Sequence, residues 1–306
     1  MDAAGPGVRE PGQRHPAAGA AVGVLAAVPV RRRGRRPLGA RAREGAAVNI
    51  ITWNVNSLRV RLPRVLALLH RHQPDVLCLQ ETKVADEEFP RAALEAAGYA
   101  AASFGQRTYN GVALLSRRPL HDVQRGFAGD PLPEQSRVMG AECEGLRILN
   151  LYVVNGEAVD SPKYPLKLAW MDAFQHWLAA HHRPEQPLLL LGDFNVAPEE
   201  RDVHDPERWR GHVLFSDPER ARVRALLQWG VRDLLRLHSD AAGLHTWWDY
   251  RMGAFHRGWG LRIDLALGTD AVAQRCSGVA IDREERKPSA GEGKPSDHAP
   301  VIVTLR

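Results

Sequence analysis

Several apolar stretches of the sequence end at, or lie directly beside, side chains that could act in catalysis or bind a metal. The side chains at these positions are Asn54, Glu81, Asp193, Asn195, Asp264, Asp297 and His298. Each carboxylate alone could be structural, because acids are common in turns and helix caps. In open α/β sheets, however, the ends of neighbouring strands form the natural ligand crevice. The set as a whole therefore predicts a functional site at one edge of a sheet.

The chemistry of this set favours phosphoester hydrolysis. Carboxylates and amides are hard oxygen ligands that suit Mg²⁺ or Mn²⁺, whereas zinc prefers His and Cys, and the set contains a single histidine. The sequence has no P-loop, no dinucleotide-binding glycine motif after a strand and no GxSxG nucleophile elbow. With oxygen ligands and one imidazole, a metal neutralises developing charge, a carboxylate aligns water, and the imidazole donates to a phosphate oxygen.

Alternating strand and helix patterns must position these side chains. Short apolar runs predict strands over 48–53, 76–79, 111–115, 120–125, 138–142, 147–153, 187–191, 263–267 and 301–305. Apolar residues at helical spacing predict helices over 62–72, 90–97, 166–181 and 219–229. Strands from both halves of the chain end in similar polar residues, which indicates one α/β sandwich rather than two independent domains.

Composition limits the class of protein. The chain has 306 residues, of which 44% are hydrophobic and 25% charged, and this excludes a wholly disordered protein. No run of 18 apolar residues occurs, so no transmembrane helix is expected. Cys78, Cys143 and Cys276 lie far apart without a CxxC pair. That spacing argues against a thiolate zinc site or a disulfide framework and favours a reducing compartment.

The net charge of +5 is concentrated at one end of the sequence. Residues 1–47 contain 9 Arg and 3 acids, a net +6 that leaves −1 for residues 48–306. The segment is mostly Ala, Gly, Pro and Arg, so we expect a disordered extension, for which an overcalled start is one explanation. A signal peptide and a transit peptide fit less well, because arginines replace the cleavage site and no serine precedes Ser57. The catalytic domain is expected to span residues 48–306.

The segments around the candidate side chains resemble the exonuclease III family of Mg²⁺-dependent abasic-site endonucleases, in the endonuclease/exonuclease/phosphatase superfamily. The matching segments are 52–59 (TWNVNSLR), 79–83 (LQETK), 110–115 (NGVALL), 191–195 (LGDFN), 246–251 (TWWDYR), 262–264 (RID) and 294–300 (KPSDHAP). GDFN and SDH are typical of the whole superfamily, whereas TWWDYR and KPSDHAP are typical of its DNA-repair branch. The resemblance implies a DNase I-like α/β fold, a four-layered sandwich in which two packed mixed β-sheets are flanked by helices.

The resemblance also implies catalytic roles for the matching residues. Glu81 would bind the metal, with Asn54 and Asp297 close to it. Asp193 would orient or deprotonate the attacking water, helped by Asn195. The catalytic set would be completed by His298 at the scissile phosphate, Asp264 behind His298, and Tyr152 at the phosphate or the leaving oxygen.

Substrate contacts are implied for four further residues. Trp247 would line a pocket for a flipped-out abasic sugar, and Arg251 would support that wall or the DNA backbone. Trp248 would be a second wall or a core aromatic, and we expect the wall. Asn155 is the fourth substrate-binding residue. Val154 stands where relatives usually carry proline, which is expected to loosen the loop after Tyr152 slightly.

The implied activity is cleavage of DNA 5′ to abasic sites, with 3′-to-5′ exodeoxyribonuclease activity and 3′-end cleaning in base excision repair. The cofactor would be Mg²⁺, with Mn²⁺ as a possible substitute. The partner would be double-stranded DNA with abasic sites or damaged 3′ ends, bound by a monomer in the cytoplasm and away from membranes. About half of the following basic residues are expected to contact phosphate: Arg59, Arg61, Lys83, Arg107, Arg137, Lys163 and Lys167.

Two other functions compete with this interpretation. A relative acting on a non-DNA phosphoester, such as an inositol phosphate or a phospholipid, is disfavoured by the paired tryptophans Trp247 and Trp248. A DNA-binding module without catalysis is disfavoured by the complete carboxylate and histidine set.

Overall fold

The computed structural model describes residues 47–306, so the expected extension over residues 1–47 lies, apart from Ala47, outside the described residues. The strands are β1 Val48–Asn54, β2 Val76–Gln80, β3 Ala100–Phe104, β4 Val112–Ser116, β5 His121–Arg125, β6 Val138–Cys143, β7 Leu146–Tyr152, β8 Leu188–Asp193, β9 Val231–Asp233, β10 Asp264–Thr269, β11 Cys276–Ile281 and β12 Val301–Leu305. The α-helices are α1 Leu58–His72, α2 Arg91–Ala96, α3 Lys163–His181, α4 Pro206–Trp209, α5 Asp217–Trp229, α6 Ala254–Arg257 and α7 Asp270–Ala273.

The strands form two mixed sheets of six strands each. The first sheet has the order β11-β12-β1-β2-β4-β3 and the second β5-β6-β7-β8-β10-β9. Each contains one parallel pair, β1 with β2 and β7 with β8, and the other neighbours are antiparallel. Because parallel neighbours end at the same edge, each sheet brings two strand ends together there.

Alternation of side chains along the strands produces four layers. Ile50 of β1 and Ile148 of β7 pack in the core between the sheets, whereas Ile51 faces the apolar side of α1. The outer face of the second sheet is covered by α3 and α5, where Trp170 and Phe174 enter a separate core. The order of layers is therefore α1, first sheet, second sheet, then α3 with α5. This confirms the predicted four-layered α/β sandwich.

Three strands escaped prediction, and all three lie at sheet edges. They are β3, β9 and β11. An edge strand is covered on fewer sides, so its sequence needs fewer apolar residues; β3 begins with three alanines, whose intrinsic preference for strands is low. Pairing with β4 nevertheless places β3 in the sheet along its whole length. Tertiary contact, rather than local propensity, makes these segments extended.

Two further observations concern the cysteines and the helices. Cys78, Cys143 and Cys276 are buried free thiols. Within residues 47–306, no helix combines the length and the apolar character needed to cross a membrane.

Candidate active site

Strand topology gathers the candidate side chains at one edge of the sandwich. β1 and β2 end side by side, with Asn54 opposite Gln80. β7 and β8 end in the same way, with Tyr152 opposite Asp193. β10 runs antiparallel to β8 and begins where β8 ends, so Asp264 is the partner of Asp193 in the ladder.

Left-handed backbone turns follow these strand ends. Glu81, directly after β2, and Asn195, two residues beyond β8, both have φ of 50°. Asn56 and Lys83 adopt similar values, 42° and 51°. Positive φ is uncommon for residues other than glycine and clusters at functional sites, where the surrounding structure enforces it. The turns reverse the chain immediately, so polar side chains are held at the strand ends.

The Asn54 carboxamide joins the two sheets. Its Nδ2 donates to Glu81 Oε1 and to Asp193 Oδ2, each at 2.9 Å, and its Oδ1 accepts the Asn56 N–H at 2.9 Å. The two carboxylates can only accept hydrogen bonds from the Asn54 amide, and the Asn56 N–H can only donate one. The network therefore fixes which end of the amide is nitrogen and which is oxygen. The amide oxygen accepts one hydrogen bond and keeps a second lone pair, so the bridge is compatible with the predicted place of Asn54 at the metal, which stays a prediction.

His298 lies between two carboxylates. Its Nδ1 is 2.8 Å from Asp264 Oδ2, and its Nε2 is 3.8 Å from Asp193 Oδ2. The side chains of all three residues are buried. Each offers one ligand atom within 4.8 Å of the others, so the described residues contain an acidic and histidine group with the spacing of a metal site.

Protonation distinguishes a metal site from a proton-transfer site in this group. Burial alone would lower the pKa of His298, but the charges of Asp264 and Asp193 raise it well above its ordinary value. Burial also raises the pKa of Asp193, and Asp264 adds to this, while His298 and the Asn54 hydrogen bond oppose it. Metals bind neutral imidazole, so a protonated His298 is a poor ligand. The electrostatics favour a cationic hydrogen-bond donor beside a carboxylate of enhanced basicity.

Tyr152 is held at the end of β7 beside Glu81. Its ring lies 4.7 Å from the Arg137 guanidinium, and its side chain is almost buried. Burial and the neighbouring Glu81 raise the pKa of Tyr152 well above its ordinary value, with Arg137 opposing. The phenol therefore remains a proton donor at neutral pH. Val154, in place of the family's proline, packs in the hydrophobic core, which supports the loop by apolar contact.

A buried ion pair supports the loops that carry Asn155 and Asn195. Lys167 Nζ donates to the carbonyls of Asn155, at 3.0 Å, and Asn195, at 2.7 Å. Lys167 also pairs with Glu219, and both side chains are 0% exposed. Asn155 Nδ2 in turn donates to Asn195 Oδ1 at 2.8 Å. Lys167, one of the seven candidates of which about half were expected to contact phosphate, is therefore not accessible to DNA, and its charge instead positions the two asparagines.

Glu81 is connected to Asp297 through Lys83 and Asn56. Lys83 Nζ lies 2.7 Å from Glu81 Oε2 and 2.6 Å from Asn56 Oδ1. Asp297 accepts hydrogen bonds from Asn56 Nδ2 at 3.0 Å and from Trp247 Nε1 at 3.1 Å. A cation thus already lies against the Glu81 carboxylate, and the Glu81 side chain is 16% exposed. This carboxylate-rich donor set fits a hard divalent cation.

The two adjacent tryptophans belong to different clusters. Trp247 is partly buried and packs with Leu261 and Ile263. Trp248 is 1% exposed and packs with Phe255 in the core, so the expected wall against DNA is replaced by the core alternative. The Arg251 side chain is 85% exposed and pairs with Asp249 at 2.6 Å, a position open to solvent.

The predicted phosphate contacts divide into buried and accessible residues. Like Lys167, Arg61 and Arg137 are buried, and Arg61 donates to Asn56 O and to Tyr250 Oη, both at 2.6 Å. These three side chains stabilise the site from within. The side chains that remain accessible are those of Arg59, Lys83, Arg107 and Lys163.

Three supporting residues at the site, Asn56, Thr246 and Ser296, are not among those predicted from the sequence. Asn56 joins Asp297 to Lys83. Thr246 Oγ1 accepts the Asp264 N–H at 3.1 Å, and Ser296 Oγ donates to Asn54 O at 2.7 Å. All three stand inside or next to the quoted motifs, so their proximity to the acids was the available signal.

The two-sheet sandwich with a carboxylate and imidazole site at its edge defines the DNase I-like class of fold. Residues 51–298 match the endonuclease/exonuclease/phosphatase family. The chain therefore belongs to this family.

Relatives with nuclease or phosphatase activities match nearly the whole described chain. The chain is 35% identical over 271 residues to exodeoxyribonuclease III of Haemophilus influenzae, covering 85% of this chain and 100% of that protein. Its structure is similar to that of a Neisseria 3′ phosphatase bound to a product DNA hairpin, with TM-score 0.80, 43% identity, and coverage of 85% and 99%. It is also similar to an AP endonuclease from Archaeoglobus fulgidus, with TM-score 0.80, 37% identity, and coverage of 84% and 99%.

Proposed function

We propose that residues 48–306 catalyse metal-dependent hydrolysis of phosphodiester bonds in damaged DNA. The enzyme cuts double-stranded DNA 5′ to abasic sites, removes nucleotides in the 3′-to-5′ direction, and cleans blocked 3′ ends in base excision repair. The observation that carries this proposal is the arrangement of Asp193 beside His298, with Asn54 linking Asp193 to Glu81. The similar proteins, an exodeoxyribonuclease III, a 3′ phosphatase and an AP endonuclease, support DNA as the substrate.

Asp193 and His298 have separate roles in the proposed reaction, one as a proton acceptor and the other as a hydrogen-bond donor. Asp193 accepts the proton of the attacking water, because its raised pKa makes it a stronger base than an exposed aspartate. His298, kept protonated by Asp264, donates Nε2–H to a non-bridging phosphate oxygen. Charge-assisted donors of this kind stabilise the negative charge that grows in the transition state. Tyr152, protonated at neutral pH, donates to the phosphate or the leaving oxygen.

Glu81 would hold Mg²⁺, or Mn²⁺ in its place, with Asp297 contributing negative charge nearby. When bound, the ion neutralises charge on the scissile phosphate. Asn54 keeps the Glu81 carboxylate turned toward Asp193, so the metal-binding and proton-accepting groups share one side of the substrate.

Substrate selection depends on the surface beside these groups. Trp247 packs on Leu261 and Ile263 and forms an apolar wall for the base-free sugar, which a normal nucleotide would fill badly. Asn155 and Arg251 contact the DNA around it, together with the accessible basic residues. The enzyme acts as a monomer in the cytoplasm.

The experiment that tests the proposal is cleavage of a duplex containing one tetrahydrofuran abasic analogue. We expect Mg²⁺-dependent nicking 5′ to the analogue, abolished by EDTA and reduced at least about 100-fold by Asp193→Asn, the loss expected for a general base. Asp240→Asn is the matched control, because its side chain is 91% exposed. An intact duplex after incubation with Mg²⁺ would contradict the proposal, and hydrolysis of an inositol phosphate instead would favour the competing enzyme. Equal nicking by Asp193→Asn would show that the cut does not come from this site, which would implicate a contaminating nuclease or favour the DNA-binding module without catalysis.

A further inference from the structure

Three polar side chains lie in the core between the two sheets, directly below the catalytic edge. They are Thr52 of β1, Gln80 of β2 and Asn150 of β7, and each is at most 1% exposed. The residues before them on the same strand faces, such as Ile50 and Ile148, are apolar. A polar group in such a core costs free energy unless it is hydrogen-bonded. Packing alone therefore does not account for these three side chains.

Hydrogen bonds between these side chains connect the two sheets. Gln80 Nε2 donates to Thr52 Oγ1 at 2.8 Å, within the first sheet, and to Asn150 Oδ1 at 2.6 Å, in the second. Asn150 Nδ2 in turn donates to the backbone carbonyls of Leu79, at 2.9 Å, and Ala113, at 3.0 Å. Both carbonyls belong to the first sheet. The three hydrogen bonds of the Asn150 amide therefore all cross from the second sheet to the first.

The two backbone carbonyls fix the orientation of both amides in this bridge. A carbonyl can only accept, so the Asn150 nitrogen faces Leu79 and Ala113 and its oxygen faces Gln80, which must then present its own nitrogen. In this arrangement Gln80 Oε1 is buried without a donor among residues 47–306. An unsatisfied buried acceptor lowers stability. Groups that are retained at such a cost are typical of functional parts of a protein.

Each end of the bridge leads to a group of the proposed active site. Glu81 follows Gln80 directly, at the left-handed turn with φ of 50°. Tyr152 lies two residues beyond Asn150, on the same face of β7. The Glu81 carboxylate and the Tyr152 phenol thus come from different sheets. The spacing of the sheets at this bridge therefore determines how far apart the two groups lie.

We propose that Gln80 and Asn150 are positioning residues that set the distance between Glu81 and Tyr152 in the reaction. The inference rests on the nuclease function proposed above and deepens it by assigning a role to residues that do not touch the substrate, since both are 0% exposed. The phenol donates to a phosphate bound beside Glu81 only at the spacing that the bridge maintains. Loss of the bridge therefore impairs the chemical step more than it impairs DNA binding.

The kinetic test is single-turnover cleavage of the tetrahydrofuran duplex by the full chain with Mg²⁺, at a temperature where every variant is folded. Asn150→Leu removes the bridge at similar side-chain size and should lower the rate constant about 10- to 100-fold, since misplacing a reacting group by about 1 Å can cost 100-fold. The Kd for the same duplex, measured by fluorescence anisotropy in EDTA, should not change.

Two variants serve as controls for the kinetic test. Ile148→Ala, on the same face of β7, leaves a cavity in the core and should lower the Tm while the rate constant stays at the wild-type value. Thr52→Val removes a hydrogen bond within the first sheet only, so its effect on the rate constant should be smaller than that of Asn150→Leu.

A double-mutant cycle tests whether the bridge acts through the phenol. Tyr152→Phe removes the hydroxyl group that the bridge is proposed to position. Asn150→Leu should therefore lower the rate constant much less in the Tyr152→Phe protein than in the wild-type protein. Gln80→Met, which keeps the side-chain length, should show the same non-additivity and replaces Asn150→Leu if that variant does not fold.

Failure of this proposal is distinguishable from failure of the nuclease function. If the wild-type protein does not cut the tetrahydrofuran duplex, the nuclease function fails. If it does cut, but the bridge variants are as active as Ile148→Ala, the positioning role is overturned while the nuclease function stands. An equal loss in the Tyr152→Phe and wild-type proteins also overturns it, because the bridge would then act on another part of the site.

Discussion

Asn54 Nδ2 lies 2.9 Å from Asp193 Oδ2, and the two residues, 139 positions apart in the chain, belong to different sheets. The contact makes the geometry of the active site depend on how the two sheets are packed. The same amide also donates a hydrogen bond to Glu81, which follows a strand of the first sheet. One buried side chain therefore holds the proposed metal-binding carboxylate and the proposed base in a defined relative position.

Removing this bridge should impair catalysis in a pH-dependent way. Asn54→Ala deletes a hydrogen bond that opposes the raised pKa of Asp193, so that pKa should rise further. Because the base acts when deprotonated, the acid limb of the kcat/KM profile should move to higher pH. We expect about a tenfold or greater loss at neutral pH, from about 1.5–3 kcal/mol for a hydrogen bond to a charged group. Gln274→Ala, at an exposed position, is the control, and an unmoved acid limb would argue against the bridge.

The Asp264–His298 contact predicts that a substitution at Asp264 will shift the alkaline limb of the pH profile of kcat/KM. Asp264 is a principal cause of the raised pKa of His298, so Asp264→Asn should lower that pKa while keeping a hydrogen-bonding side chain. Since the proposed donor is the imidazolium, activity should decline at lower pH than in the wild-type protein. The measurement is kcat/KM against pH on the tetrahydrofuran duplex with Mg²⁺. Coincident alkaline limbs would show that the protonated ring is not required.

Metal binding can be measured without turnover. A ligand that binds only the folded protein raises its stability in proportion to the logarithm of ligand concentration. Titration of Mg²⁺ should therefore raise the Tm of the wild-type protein, and Glu81→Gln should need higher concentrations for the same rise. Glu144→Gln, whose side chain is 46% exposed, should match the wild-type protein. An unchanged titration in Glu81→Gln would place the ion elsewhere, with the Asp193, Asp264 and His298 group as the next candidate.

The buried Lys167–Glu219 pair should matter for both stability and activity. Lys167→Met leaves Glu219 buried without its counter-ion, which typically costs about 3–5 kcal/mol. It also removes the donor to the Asn155 and Asn195 carbonyls, so kcat should fall even at temperatures where the variant is folded. Lys163→Met removes an exposed pair and should cost less than about 1 kcal/mol. Denaturant unfolding and kcat, measured side by side, check both effects, and full activity in folded Lys167→Met would exclude the positioning role.

A second buried network predicts acid sensitivity. Arg262 donates to Asp202 at 2.6 and 3.0 Å and to Asp233 at 2.7 Å, and Arg236 pairs with Asp202 as well. Burial opposes the shift, but the arginines lower the pKa of Asp202. The stabilisation is therefore complete above the unfolded pKa of about 3.9 and is lost as the pH falls through the lower folded value.

Asp202→Asn tests this network by unfolding at two pH values. At pH 7 the variant should be less stable by about 3 kcal/mol or more, because two arginines lose a buried partner. The difference should narrow below about pH 4, where Asp202 becomes protonated in the unfolded wild-type chain while it stays ionised in the folded protein. A constant difference across this range would contradict the assignment.

Apart from the exposed edge strand β5, the strands that could be predicted are those whose side chains face a core. β8 is apolar through Leu191, and both of its faces are buried, one between the sheets and one under α3. By contrast, β3, β9 and β11 lie at sheet edges, and each is extended because it pairs with a single neighbouring strand. The sequence of a segment does not show which distant strand it will pair with. The prediction that Trp248 forms a wall against DNA was wrong for a related reason. Side chains of adjacent residues in an extended segment point to opposite faces, but the sequence does not say which face is turned toward the core.

The sequence by itself determined the class of chemistry, because carboxylates, amides and one histidine at strand ends suit few reactions other than metal-assisted phosphoester hydrolysis. It also determined that the net positive charge of the chain comes from residues 1–47. Only the tertiary structure decided which charges face solvent. Lys167 and Arg59 are both basic residues with apolar neighbours on each side in the sequence, yet one is 0% exposed and the other has a side chain 59% exposed. Burial and pairing arise from segments that meet across many residues, so the partners of a charge, and hence its pKa and its role, are properties of the folded chain.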